Sequence, residues 1–217
     1  MITVNVTDDA SEVVTSDSRP SPAAMAAIGG RQLAIAARFL LAMTLVLGIL
    51  YPLAVLGVGR IWSDQADGSL LREGSAVVIG SSSIGQRFDG PTWFHGRPSA
   101  AGDGDDAMSS GGSNLAADSP ELRELVTERR AAIAAEDGVP PSSVPADAVT
   151  ASASGLDPDI SPAYAQLQVN RVAAARGLAV ARVRDLVDAH TKGRILGFIG
   201  EERVNVVQLN LALQRLG

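Results

Sequence analysis

Carboxylates crowd together at one point of the chain, where a cation could be held. Asp103, Asp105 and Asp106 stand in the sequence GDGDD, and carboxylate oxygens are ligands that Ca²⁺ prefers. The alternating ligand positions and the distal Glu of a calcium-binding loop are missing, however. We interpret these carboxylates as solvated charges of a loop, and the sequence predicts no metal site there.

A second pair of carboxylates, Asp157 and Asp159, flanks Pro158. Two carboxyl groups act as acid and base only when burial tunes their pKa values, which a sequence does not reveal. His95 and His190 are the only histidines, and neither has the spacing of a metal ligand. The absence of cysteine excludes thiolate ligands, cysteine nucleophiles and disulfides. The sequence therefore predicts no catalytic residue and no metal ligand.

The sequence AVVIGSSSIGQR resembles the phosphate-binding loop of nucleotide-hydrolysing enzymes. Gly80 and Gly85 frame four residues after a predicted strand, as in the pattern G-x-x-x-x-G-K-[ST]. Gln86 replaces the lysine that contacts the phosphates, and Arg87 replaces the hydroxyl that ligates magnesium. Because both of these side chains are missing, we predict a turn between two strands and no bound nucleotide cofactor.

The sequence VAAARGLAVARVRDLVDAH predicts two helices joined at Gly177. Its spacing resembles that of a DNA-binding helix-turn-helix, whose second helix would carry Arg182, Arg184 and Asp185 outward. A membrane-tethered DNA-binding regulator is therefore the alternative hypothesis. The same spacing also occurs in ordinary helix pairs. Because the net charge of −6 is unusual for a nucleic-acid-binding protein, we expect no nucleic-acid partner.

These segments must be positioned by the rest of the chain, whose strongest signal is an apolar run. Residues 39–59, FLLAMTLVLGILYPLAVLGVG, carry no charge between Arg38 and Arg60. At the rise of an α-helix they span roughly 32 Å, close to the hydrocarbon thickness of a bilayer. Pro52 is expected to kink or loosen the helix locally. The run predicts a single transmembrane helix rather than a buried helix of a soluble protein or a cleaved signal peptide.

The apolar run divides the chain into three predicted parts. Residues 1–30 lack periodicity and are expected to form a disordered tail. Residues 31–62 form the transmembrane helix, with its core at 39–59, and residues 63–217 form a soluble domain. Basic residues flank both ends of the span, so their count barely discriminates its orientation. A short tail kept inside and an exported domain is the simpler interpretation.

The soluble domain alternates strand-like and helix-like stretches, which predicts the α+β class. Residues 89–114 are rich in Gly, Pro and Ser and predict an irregular loop. Ser119-Pro120 and Ser161-Pro162 each predict the start of a helix, with Ser as the N-cap and Pro at the first helical position. Residues 203–213 begin like a strand, although their second half could be helical.

Four segments of the chain together resemble a known family. They are GSSSIGQRFDGPTWFHGRPSAAG, SGGSNL, VPADAVTASASGLDPDISPAYAQLQVNRVAAARGL and HTKGRILGFIGEERVNVVQLNLAL. In this order, and behind a single N-terminal span, they are similar to the C subunit of the Kdp potassium-transporting ATPase. The resemblance covers about residues 40–215.

The resemblance implies a non-catalytic subunit of an ATP-driven potassium importer in the bacterial cytoplasmic membrane. Its implied partners are a channel-like potassium-translocating subunit, the P-type ATPase catalytic subunit and a small single-span subunit, besides the lipid bilayer. The family implies assistance to ATP binding by the catalytic subunit. Since an exported domain cannot touch cytosolic ATP, we expect assembly and stabilisation of the complex, with ATP involved only indirectly.

Residues 149–171 contain the most particular of these segments. Asp157-Pro158 is expected to fix a bend, and Ser161-Pro162 to start a helix whose Gln168 and Arg171 face a partner subunit. Asp157, Asp159, Gln168 and Arg171 are therefore the candidate docking residues. The alternative is that Asp157 only caps the turn, and both interpretations stay open.

Overall fold

The computed structural model describes residues 22–73 and 77–216. The chain divides into two compact units, and the boundary falls between Ile61 and Trp62. The first unit is helical, and the second combines helices with two small sheets. This architecture confirms the predicted α+β class with an N-terminal apolar helix. Most of the predicted tail, residues 1–21, lies outside the described residues.

The first unit is a nearly continuous helix. It consists of α1 (Pro22–Leu45), a π-helical turn (Val46–Leu50) and α2 (Tyr51–Gly59). Residues 22–30, expected in the tail, belong to α1, because a proline in the first turn and an alanine-rich sequence favour a helix there. Among the described residues, one helical run, Ala27–Ala66, is long and apolar enough to cross a membrane.

The π-helical turn lies immediately before Pro52. Its last hydrogen bond runs from the N–H of Tyr51 to the carbonyl of Val46, five residues back. Pro52 has no N–H to donate, and its ring would press on the carbonyl of Gly48 in a regular α-helix. The wider π turn accommodates this ring. The loosening expected at Pro52 is therefore a single π turn.

A 3₁₀ turn (Arg60–Trp62) contains the boundary between the units. The second unit continues with α3 (Ser63–Ala66) and an antiparallel hairpin of β1 (Leu70–Glu73) and β2 (Val77–Ser81). Residues 82–119 then contain neither helix nor strand. The elements that follow are α4 (Pro120–Asp137), a 3₁₀ turn (Pro141–Ser143), α5 (Ala146–Val149), β3 (Asp159–Ile160), α6 (Pro162–Arg176), α7 (Val180–His190), β4 (Thr191–Lys192), β5 (Arg203–Asn205) and α8 (Val206–Gln214).

Local capping signals set the ends of the two long helices of this unit. Ser119 accepts a hydrogen bond from the N–H of Leu122 at the start of α4, and Ser161 accepts one from Tyr164 at the start of α6. Gly138 and Gly177 end these helices in the left-handed conformation. Both predicted helix starts are thereby confirmed.

The core lies where α6, α7 and α8 meet a three-stranded antiparallel sheet of order β3-β5-β4. Val172, Val183, Val187, Val204 and Leu209 are fully buried there. The C-terminal segment that could have been strand or helix is both, since β5 ends at Asn205 and α8 begins at the next residue. The Asn205 side chain caps α8 by accepting from the N–H of Gln208.

A candidate docking surface on an ordered loop

The loop of residues 82–119 is a built part of the domain, although it has no regular secondary structure. Phe94 and Ala101 within it are fully buried. Connections of this length in compact domains usually carry function. The predicted irregular excursion over 89–114 is confirmed and extends further on both sides.

Two buried amide side chains hold the centre of this loop. Asn210 of α8 accepts from the N–H of Phe94 at 2.9 Å and donates to its carbonyl at 2.8 Å. Gln168 of α6 accepts from the N–H of His95 at 2.7 Å and donates to its carbonyl at 3.1 Å. Both amides are fully buried. They supply the hydrogen bonds that a neighbouring strand would give to this extended backbone.

Arg171 fastens the preceding residues of the loop. Its guanidinium donates to the carbonyls of Pro91 (3.0 Å) and Trp93 (2.9 Å), and to the Gln168 Oε1 atom (2.7 Å). Its Nε atom donates to Asp137 at 2.7 Å, and these two side chains are 5% and 2% exposed. Every donor atom thus meets an acceptor, as a buried guanidinium requires. Burial raises the pKa of Asp137, and the hydrogen bond from Arg171 opposes that rise.

Gln168 and Arg171 therefore lie inside the domain. From the sequence, both were expected to face a partner subunit. Their polar atoms are committed to the loop and to Asp137, so a docking role would reach a partner only through the loop they hold. Helical periodicity indicates the burial of Gln168, because Gln168 follows the buried Tyr164 by four residues and lies on the same face of α6.

Asp157 remains accessible, since its side chain is 35% exposed. Its Oδ2 atom pairs with Nη1 of Arg97 at 3.1 Å, and its Oδ1 atom accepts from the N–H of Asp159 at 3.0 Å. Arg97 also donates to the carbonyls of Thr150 and Ala151, both at 3.4 Å. Asp157 thus caps its own turn and presents a carboxylate to the surface at the same time.

Asp159 joins two strands of the small sheet. Its Oδ2 atom lies 2.9 Å from Nε of Arg203, and its Oδ1 atom accepts from the Asn205 amide at 3.1 Å. The same Asn205 amide donates to the carbonyl of Ser82 at 2.8 Å. The carboxylate is 26% exposed, so Asp159 is mainly a structural link between β3, β5 and the start of the loop.

A groove of about 380 Å³ opens beside Asp157, and its charged lining includes Arg87, Arg97 and Asp105. Burial raises the pKa of Asp105, and the nearby charge of Arg87 opposes that rise. Asp157 also borders a second depression of about 250 Å³, which contains Asp159 and Arg203. We name the surface around Asp157, Arg97, Arg87 and Asp105 the Asp157 groove. Its mixed charges and partial burial suit contact with a polar protein surface.

Hydrogen bonds join two glycine-containing stretches of the domain. The N–H of Gly111 donates to the carbonyl of Ser154 at 2.8 Å, and the Ser99 hydroxyl donates to the carbonyl of Gly155 at 2.6 Å. A Cβ atom on Gly155 would lie 2.6 Å from the Gly111 oxygen and 2.7 Å from Ala101. The stretches SGGSNL and SASGLDPDISP therefore pack backbone against backbone, which leaves no room for a side chain at Gly155.

The remaining candidate chemistry has structural explanations. No helix follows Gly85 directly, and the Gln86 amide bonds back to the carbonyl of Ile79 at 3.4 Å. The turn predicted at Gly80 leads into the loop, and the expected second strand is absent from residues 82–90. The N–H of Gly85 donates instead to the carbonyl of Leu156, in a loop far along the chain, at 2.7 Å. Within residues 22–73 and 77–216, no group of three or more His, Asp or Glu is arranged to hold a metal ion.

The helix pair behind the DNA-binding hypothesis exists as α6 and α7, joined at Gly177. Val183 and Val187 of α7 are buried, whereas Arg182 and Arg184 are exposed. These contacts are also those of an ordinary packed helix pair, so DNA binding stays an untested alternative.

Comparisons with known proteins agree with the resemblance. The family model described as "KdpC: K+-transporting ATPase, c chain" matches residues 33–215. A Kineococcus radiotolerans protein named potassium-transporting ATPase KdpC subunit is 55% identical over 175 residues, covering 81% of this chain and 89% of the relative. A Mycobacterium tuberculosis protein of the same name is 52% identical over 188 residues, covering 86% and 99%.

Proposed function

This chain belongs to the KdpC family, the c chains of K⁺-transporting ATPases, and on that premise we propose that it is a non-catalytic subunit that docks on the transport machinery and stabilises its assembly. The observation that carries the proposal is the ordered loop of residues 82–119. Buried side chains from α6 and α8 hold this loop, and a surface held rigid before contact loses little conformational entropy on binding.

The proposed partners are the channel-like potassium-translocating subunit, the P-type ATPase catalytic subunit and the small single-span subunit. The apolar helix Ala27–Ala66 would pack among their membrane helices in the lipid bilayer. Gly48 and Gly57 leave open space on this helix, which allows a close approach of neighbouring helices. The proposed location is the bacterial cytoplasmic membrane, with the soluble domain on its extracytoplasmic side.

The proposed role in ATP binding is indirect. The near-match to a phosphate-binding loop lacks the lysine and the hydroxyl that contact phosphate and magnesium. Its backbone also turns into the loop instead of opening a helix whose N-terminus could hold a phosphate. We therefore assign ATP binding and hydrolysis to the catalytic subunit, which this chain would favour by stabilising the assembled complex.

The test is co-purification of the complete complex with Asp157→Asn in this chain. Loss of the charge that the groove presents should reduce recovery of the other subunits several-fold, together with potassium uptake. Asp118→Asn is the matched control, because Asp118 is an exposed loop carboxylate outside the groove. Thermal unfolding of each purified chain checks the fold.

Unchanged recovery with Asp157→Asn, or an equal loss with Asp118→Asn, would contradict docking through the groove. Failure of the wild-type chain to co-purify with any ATPase subunit would contradict the proposed function as a whole.

A further inference from the structure

The hairpin between β4 and β5 ends in a rigid apolar tip. We name Ile195–Ile199 the hairpin tip. Ile195 and Ile199 exchange two backbone hydrogen bonds of 2.9 Å, and the N–H of Phe198 bonds to the carbonyl of Ile195 at 3.3 Å. Leu196 (φ +55°) and Gly197 (φ +82°) form the turn, as in the tight turns that suit twisted hairpins.

The side chains of the hairpin tip point away from the domain. Ile195, Leu196, Phe198 and Ile199 are 58%, 79%, 72% and 47% exposed. Leu196 also holds a left-handed backbone conformation that costs a non-glycine residue roughly 1 kcal/mol. The fold thus tolerates strain at the residue whose apolar side chain is the most exposed of the four, and strain of this kind clusters at functional sites.

The hairpin tip is the densest exposed apolar cluster among the described residues of the second unit. Elsewhere in this unit Val77 and Val78 form an exposed pair, and Met108 and Val180 stand apart in the sequence. Four neighbours exposed to this degree present on the order of 400 Å² of apolar surface, a size that marks interaction sites on soluble domains.

We propose that the hairpin tip inserts into an apolar cleft on another subunit of the potassium-transporting ATPase. The inference rests on the proposed function. It gives the chain a second contact with the complex, besides the contact proposed at the Asp157 groove. The exposed area is about half of one partner's share of a standard protein interface. The tip would therefore form the apolar centre of a contact whose rim is polar.

The charges around the hairpin tip favour a protein over a lipid surface. Lys192 and Arg194 precede it, and Glu201 and Glu202 follow it, all exposed. This balanced collar gives little attraction to an anionic bilayer, which binds segments of predominantly basic residues. A polar rim on a protein cleft can satisfy charges of both signs. The paired backbone of the tip also needs no ordering on binding.

Photo-crosslinking in the assembled complex tests the contact. Phe198 is replaced by benzoylphenylalanine in the full-length chain, co-expressed with the other ATPase subunits. Val180 of α7, outside both the loop of residues 82–119 and the hairpin tip, is replaced in the same way as the control. We expect an adduct between residue 198 and another subunit, identified by mass spectrometry, and no such adduct from residue 180, although Val180 is 38% exposed. An adduct with lipid only, an adduct with a second copy of this chain, or no adduct in an intact complex would each overturn the proposal.

Paired substitutions measure what the contact contributes. Leu196→Ser with Phe198→Ser should reduce recovery of the complex at least fivefold, whereas Val180→Ser should leave it unchanged. Because these side chains are exposed, the thermal unfolding of the purified chain should change little. If the wild-type chain assembles and the double variant assembles equally well, the role of the tip is refuted while the proposed function stands.

Discussion

Gln168 and Asn210 act as fragments of a strand that the chain does not have. Each amide contacts both backbone groups of one loop residue, so a single side chain replaces two inter-strand hydrogen bonds. Removing either amide leaves the N–H and the carbonyl of a loop residue without a protein partner. These groups are buried at Phe94 and half-buried at His95, and each group buried without a partner costs roughly 1–3 kcal/mol.

Gln168→Leu should therefore destabilise the domain by about 2–4 kcal/mol, because it strands both backbone groups of His95. Urea unfolding of the purified full-length chain in detergent measures the free energy. Gln166→Leu is the control in the same helix, since Gln166 makes one exposed hydrogen bond to Asp188. Equal effects of the two substitutions would contradict the proposed role of the buried amide.

Asp137 makes stability depend on pH in a direction opposite to that of most paired carboxylates. Because burial raises its pKa in the folded state, the folded chain binds a proton more readily than the unfolded chain does. Its contribution is fully present below the ordinary pKa of 3.8 and is lost as the pH rises through the raised value.

The wild type should consequently lose stability relative to Asp137→Asn as the pH increases from 3.5 to 7. The free energy of unfolding of the variant minus that of the wild type should therefore increase. Urea unfolding at both pH values measures this difference, and Asp118→Asn serves as the matched control. If this difference stays constant or decreases with increasing pH, the hydrogen bond from Arg171 outweighs burial in setting the pKa of Asp137.

Sequence reasoning singled out Gln168 and Arg171 but not their surroundings. Their partners, Pro91, Trp93 and His95, lie more than seventy residues away along the chain. No local pattern encodes such a contact. The spacing from Tyr164 places Gln168 on the buried face of α6 once the fold is known, but what satisfies its amide depends on the tertiary fold.

Helix boundaries were predictable because their signals are local. Ser119-Pro120, Gly138, Ser161-Pro162 and Gly177 mark the ends of α4 and α6, and each acts on backbone groups within one turn. The two-residue strands β3 and β4 were not predicted, because they exist only through pairing with β5 across the domain. The strand–turn–strand prediction at Gly80 was wrong in its second strand, because the N–H of Gly85 bonds to Leu156, a contact that depends on the tertiary fold.

Gly155→Ala should destabilise the domain by more than about 2 kcal/mol, since a side chain there is strained at φ +68° and would meet two loop backbones. Thermal unfolding of the full-length chain measures the loss. Gly193→Ala is the control, because nothing lies within 4 Å of the position of its Cβ atom. A Gly155→Ala chain as stable as the control would mean that the two loops separate at little cost.

The side of the membrane on which the soluble domain lies decides how this chain can influence ATP hydrolysis, and we propose the extracytoplasmic side. In sealed inside-out vesicles, trypsin should leave residues 62–216 intact, and adding detergent should expose their many arginines to cleavage. Right-side-out vesicles provide the converse control. Cleavage of the domain in sealed inside-out vesicles would place it in the cytosol and reopen both direct nucleotide contact and DNA binding.

At the scale of the whole molecule, composition and periodicity predicted one apolar helix and an α+β domain, and both are confirmed. The resemblance to the family came from four segments in a fixed order. Two of them pack against each other, since SGGSNL hydrogen-bonds to the stretch SASGLDPDISP. The sequence did not single out the hairpin tip, because exposure is a property of the folded chain. The hairpin tip is as apolar as a core strand in sequence.

The π turn before Pro52 changes how the apolar helix can meet its neighbours. One additional residue in a turn rotates everything that follows by about 100° relative to an unbroken α-helix. A stripe of side chains that begins in α1 therefore does not continue along the same side of α2. A helix packed along a stripe of α1 would meet a different set of side chains at α2. The two halves of the apolar helix can therefore pack against two different neighbours on different sides.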